Sequence, residues 1–135
     1  MSRRVLAPDQ LADSRKLDYS QGIVADGTLF VSGQVGWDDQ FDLAGDDIVA
    51  QAEQAYENVE NLLAEAGAET SDVAKVTTYM VEPDDHLEDY HTVWADRFEE
   101  PYPCHTVVGV ASLAQPEWLV ELEVQVPGVD GEQVE

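Results

Sequence analysis

Apolar residues recur along this chain with two periods, and the switches between them mark out its elements. Residues 23–31 hold two short apolar runs, Ile23-Val24-Ala25 and Leu29-Phe30-Val31, on either side of Asp26-Gly27. Asp and Gly tolerate the positive φ angles of a primed turn, so the stretch predicts a β-hairpin whose second strand continues to about Val35. A polar loop with Gly36, Asp38, Asp39 and Gly45 follows. Ile48, Ala52, Ala55, Val59, Leu62, Leu63 and Ala66 then recur at steps of three and four, which makes one helical stripe. Asp46 and Asp47 suit the positive start of that helix, and Gly67 suits its stop. Residues 73–81 are rich in β-branched side chains and read as a strand. Pro83-Asp84-Asp85 opens a second helix with apolar positions Leu87, Tyr90, Val93, Trp94 and Phe98. Pro101-Tyr102-Pro103 breaks it, and two strands follow at about 104–111 and 118–126. In the last, Val120, Leu122, Val124 and Val126 share one face, and Leu119, Glu121, Glu123 and Gln125 the other. The expected fold class is therefore α+β: one domain over residues 1–135, ordered ββαβαββ, with two helices on one face of a mixed sheet. No repeat, low-complexity tract or linker divides it. Residues 1–16 are expected to be a short leader into the fold, and 130–135 a short acidic end.

Charge narrows the function classes. Lys and Arg total 6 against 29 Asp and Glu, a formal net charge of −23. Such a chain repels phosphate backbones and anionic lipid, so neither nucleic acid nor membrane is an expected partner. Abundant acids with almost no lysine resemble cytoplasmic proteins of salt-loving archaea. In molar salt the Debye length is roughly 3 Å, and self-repulsion is largely screened. The single cysteine, Cys104, permits no intramolecular disulfide, which fits a reducing cytoplasm. No apolar run approaches the ~20 residues of a membrane span, and the first residues lack a signal-peptide core.

Several segments, in order, resemble the YjgF/RidA family: Tyr19-Ser20-Gln21-Gly22, Val31-Ser32-Gly33-Gln34-Val35, and a stretch from Tyr102-Pro103 through Val110-Ala111 to Val120-Glu121-Leu122-Glu123. Between them, residues 58–67 look like the family's first helix, and Lys75-Val76-Thr77-Thr78 like the strand after it. The resemblance covers about residues 18–127. It implies a chorismate-mutase-like fold and a homotrimer whose sheets face inward around a barrel, with clefts for small ligands between subunits. The best-known branch hydrolyses reactive imines and enamines to 2-oxo acids and ammonia, with no metal or cofactor.

That branch grips the substrate carboxylate with an arginine, whose planar fork makes two hydrogen bonds. The matching residue here is His105, whose neutral imidazole offers one donor and no charged fork. Val107 and Gly109 stand where the family often has cysteine and glutamate, and alternation puts them on the His105 face. Cys104 falls on the opposite face, which disfavours a Cys–His pair and suggests a buried structural thiol. Glu121 matches the family's site glutamate, the expected catalytic base toward water; alternatively it and Glu123 are solvent-facing acids. Tyr19, Ser32 and Gly33 match residues lining the cleft, although a loop tyrosine also serves packing. His91 matches a position that meets the cleft from the second helix. The expected substrate-binding set is thus Tyr19, Ser32, Gly33, His91, His105 and Val107. His86 and His91 are five apart, a poor same-face spacing, and no metal motif is present, so no metal is expected. Trp94 and Phe98 read as core, whereas nothing local assigns Trp37 and Trp118.

Two function classes follow. One is a RidA-like hydrolase or deaminase of a small imine, enamine or related compound, its substrate choice altered by His105. The other is a trimer that binds a small metabolite without turning it over. A ribonuclease, attributed to some relatives, is opposed by the charge. His105, Glu121 and Tyr19 are expected to share one cleft between subunits.

Overall fold

The computed structural model describes residues 3–129; the acidic end at 130–135 lies outside them. Six strands form one mixed sheet: β1 (Arg3–Leu6), β2 (Gly22–Ala25), β3 (Thr28–Gln34), β4 (Lys75–Val81), β5 (Cys104–Val110) and β6 (Val120–Pro127). Their spatial order is β1-β2-β3-β6-β4-β5. Helix α1 (Ile48–Ala66) carries the chain from β3 to β4, and α2 (Pro83–Arg97) from β4 to β5. β4 and β5 are parallel, and β6 runs antiparallel to both β3 and β4. Both helices cover the same face: α1 packs on β3 and β6, and α2 on β4 and on α1.

The local signals act as expected. Asp26 and Gly27 take φ values of 51° and 78°, the primed turn that joins β2 to β3. The Asp47 side chain accepts from the Ala50 N–H and caps α1; Gly67, at φ 80°, ends it. Pro83 opens α2, where its missing N–H costs no helical hydrogen bond. Val120, Leu122, Val124 and Val126 point into the core beneath α1, together with Val76 and Met80.

Three sequence expectations need correction. Residues 3–6 are an edge strand, paired antiparallel with β2, where a leader was expected. Only Leu6 of this strand is buried, so its backbone ladder leaves no apolar period to read. Cys104 is exposed, because β5 is the other edge of the sheet and Cys104 points away from the helices. Leu87 is also exposed: it stands at the rim of the gap between α2 and the edge strand β5, where no further strand covers it.

The second face of the sheet is uncovered in the single chain. It carries Phe30 and Val108 among Thr77, Tyr79, Glu121 and Glu123. Antiparallel sheets tolerate one solvated face.

Candidate functional site

The family-like tripeptide Ser32-Gly33-Gln34 forms a bulge. Val31 pairs with Val124 and Gln34 with Leu122, so β3 spends three steps where β6 spends two. An extra residue bends the strand and re-aims its side chains. Val31 and Gln34 therefore both point to the core, while Gly33 lies under the Glu121 carboxylate on the open face. A Cβ at residue 33 would overlap that carboxylate, so glycine is what admits Glu121 here.

The glutamines of the two motifs fix the neighbouring loop. Gln34 Nε2 donates to Gln21 Oε1 at 2.8 Å, and Gln21 Nε2 donates to the Ala12 carbonyl at 3.0 Å. Ser32 Oγ donates to the Ser20 carbonyl at 2.5 Å, and the Ser32 N–H to the Gln21 carbonyl at 2.9 Å. These bonds hold Tyr19 beside β3. Their result is a first cleft of about 410 Å³, lined by Tyr19, Ser32, Gly33, Trp37, Trp118 and Glu121 among others. Trp37 and Trp118 meet edge to face, with centroids 5.2 Å apart, and form its aromatic wall.

Glu121 makes no hydrogen bond within the described residues. Burial, and secondly the Glu123 carboxylate, hold its carboxyl above the usual carboxylate range. Tyr19 is likewise raised, by burial and by Glu121. Glu123 is different: it is exposed and accepts a hydrogen bond from Tyr79 at 2.9 Å.

The remaining predicted residues gather elsewhere. His91, His105 and Val107 line a second cleft of about 580 Å³ with Leu87 and Tyr90, between α2 and the edge strand β5. It lies on the helix side of the sheet, whereas Glu121 faces the open side. The predicted set is therefore divided between two clefts on opposite faces of one chain.

His105 is firmly held. Its ring stacks on Trp94 with centroids 3.8 Å apart and an interplanar angle of 12°. Nε2 lies 2.9 Å from Thr78 Oγ1. Thr78 Oγ1 is 2.8 Å from the Tyr90 hydroxyl, which is 2.6 Å from the Tyr56 hydroxyl. Burial, then Lys75 and His91, push the His105 pKa down to about 4, so the ring is neutral near pH 7. This chain of three hydroxyls was not foreseen; a tyrosine inside the apolar stripe of α1 was its one signal, since a buried hydroxyl needs a partner. Leu17, Pro83, Asp84 and Glu88 also line the clefts and carry no local signal.

His86 turns away, its Nδ1 2.8 Å from the Val81 carbonyl. Among the described residues, no three His, Cys, Asp or Glu side chains are gathered as metal ligands, and no helix is long and apolar enough to cross a membrane.

Comparisons with known proteins agree with this architecture. The family model described as Endoribonuclease L-PSP matches residues 12–127. The RutC family protein YjgH of Escherichia coli is 34% identical, over 81% of this chain and 83% of its own. A protein of Dermatophagoides farinae named 2-iminobutanoate/2-iminopropanoate deaminase is 30% identical, over 84% of this chain and 88% of its own. A solved structure of protein YjgH superimposes with a TM-score of 0.86 at 32% identity, covering 98% of this chain and all of that one, 100%. With the bulged Ser-Gly-Gln strand, the Tyr-Ser-Gln loop and the glutamate above Gly33 in place, the chain belongs to the YjgF/RidA family.

Proposed function

We propose that the chain acts as a homotrimeric hydrolase of a small reactive imine, enamine or related compound. The first cleft of one protomer is completed by the second cleft of its neighbour. One observation carries this reading: the matched residues occupy two clefts on opposite faces of the sheet, so a single chain cannot apply them to one ligand. The uncovered sheet face, with Phe30 and Val108 exposed, supplies a surface for such an assembly.

The chemistry assigned to the site is simple. Glu121 has no hydrogen-bond partner among the described residues, and a carboxylate of raised pKa is a better base near neutrality. It accepts a proton from water as the water oxygen bonds to the imine carbon. The C=N electron pair moves to nitrogen, which takes up a proton. The resulting carbinolamine expels ammonia and leaves a carbonyl compound. Tyr19 and the aromatic wall shape the cleft, and no cofactor is needed.

The test is ammonia release from freshly generated small imines, in high salt. We expect turnover by the wild type and a fall of about 10²–10⁴-fold in Glu121→Gln. The second reading is a non-catalytic binder, favoured by His105 at the place of the family arginine. It would be preferred if the intact assembly bound small carbonyl compounds saturably and turned over no imine.

A further inference from the structure

The hydroxyl chain behind His105 has a direction. Each of Tyr56, Tyr90 and Thr78 has one proton to donate. The Tyr56 hydroxyl is buried, and Tyr90 is its only partner among the described residues. Were the protons to run from His105 toward Tyr56, the last hydroxyl would bury an unshared proton, which is costlier than sharing every one. They therefore run the other way: Tyr56 donates to Tyr90, Tyr90 to Thr78, and Thr78 to Nε2 of His105. An imidazole that accepts at Nε2 and is neutral carries its proton on Nδ1. Nδ1 has no partner among the described residues and is not sealed from solvent.

The charges around the site point the same way. The second cleft adds the carboxylates of Asp84 and Glu88, and the first contributes Glu121. Neither cleft is lined by a lysine or an arginine. Lys75, the nearby cation, is bonded to Thr106 Oγ1 at 2.6 Å on the other face of β5. A ligand carboxylate placed against His105 would meet one neutral donor and several like charges. A carboxamide or ester carbonyl would meet a matched donor and the apolar wall of Leu87 and Val107.

We infer that the second cleft receives the uncharged, hydrogen-bond-accepting end of a small ligand, an amide or ester carbonyl in place of a carboxylate, held by Nδ1–H of His105. Thr78 is a positioning residue that sets the tautomer, and His105 determines specificity. The inference rests on the composite cleft proposed above, but its test does not require turnover.

Pyruvate and pyruvamide share a skeleton and differ at the relevant end. Their binding to the intact assembly is read at neutral pH from the His105 ring signals, in nitrogen-15 spectra that also report which ring nitrogen is protonated. We expect Nδ1 protonated and Nε2 bare, with pyruvamide binding at least about tenfold tighter than pyruvate. His105→Arg reverses the preference, because a guanidinium pairs with a carboxylate. Thr78→Val yields a mixture of tautomers in a protein that remains folded. A proton on Nε2, a preference for pyruvate, or no effect of either probe on the His105 signals overturns the inference. Amide preference without imine hydrolysis would remove the hydrolase reading and leave this one standing.

Discussion

His105 shows how much one substituted residue can report. Its folded pKa, about 4, lies below the ordinary histidine value near 6.5. Between those two values the unfolded chain binds the proton and the folded chain does not. Stability from this residue is therefore fully present above about pH 6.5 and is lost as pH falls toward about 4. The ring is half-solvated, so solvent screening reduces the effect to on the order of 1 kcal/mol. Carboxylates titrate in the same range, and the comparison must isolate His105. Urea titrations across that window should show a shallower pH dependence for His105→Gln than for the wild type. Equal slopes would mean that the ring is more exposed than its stacking on Trp94 implies. Glu121 has the opposite sign: an acid raised by burial is strained as a carboxylate near neutrality. Its amide variant should lose turnover and keep or gain stability, the usual mark of a group retained for chemistry.

At the scale of elements, the bulge in β3 links the two motifs to the cleft. Gln34 is buried because the bulge turns it inward, and its amide supports Gln21 and the Tyr19 loop. Gln34→Leu leaves Gln21 Oε1 buried without its donor. It should cost about 1–3 kcal/mol, seen as a lower urea midpoint at unchanged slope. The same strand explains what the sequence could and could not reveal. Both helices and β6 were legible because each buries one face at a fixed period over eight or more residues, and the hairpin because Asp26-Gly27 marks its turn. The bulge was not, because one extra residue breaks a period-two pattern that is only seven residues long. β1 was hidden for want of buried side chains. The site residues were legible only as matches to a family, in which Tyr19, Ser32, Gly33 and Glu121 do fall in one cleft and His91, His105 and Val107 in another. Nothing local could show that division, since it depends on which face of the sheet each strand presents. The hydroxyl chain joins residues of α1, α2, β4 and β5, and no window along the sequence contains it.

The whole molecule must reconcile a formal charge of −23 with assembly. Only two ion pairs form among the described residues, Arg15–Asp13 and Arg97–Glu60, so most acids have no cationic partner. Like charges on neighbouring protomers would oppose association in dilute buffer. We therefore expect both the melting temperature and the oligomeric mass to rise from ~0.1 M to molar KCl, as the Debye length falls from about 10 to 3 Å. Thermal melts and light scattering over a salt series would check this, and a mass independent of salt would assign the acids to solubility alone. Assembly also has a functional signature that does not require the substrate's full identity. Glu121→Gln disables the first cleft, and Val107→Trp should block the second by filling it. With composite sites each variant alone is inactive; with the reaction confined to the first cleft of one chain, Val107→Trp alone keeps its activity, because it fills a cleft on the opposite face. In mixed assemblies made by co-refolding the two at equal concentration, the outcomes diverge. If every site lies within the first cleft of one chain, the Val107→Trp chains stay active and the mixture shows about half of the wild-type activity. If each site takes its first cleft from one protomer and its second from the next, each half is intact with a chance of one in two. About one quarter of the wild-type activity per site should then return, whatever the number of protomers in the ring. Recovery near that fraction from two inactive variants would locate the reaction between subunits; an active Val107→Trp, with a mixture near half, would return it to the single chain and remove His105 from the site of Glu121.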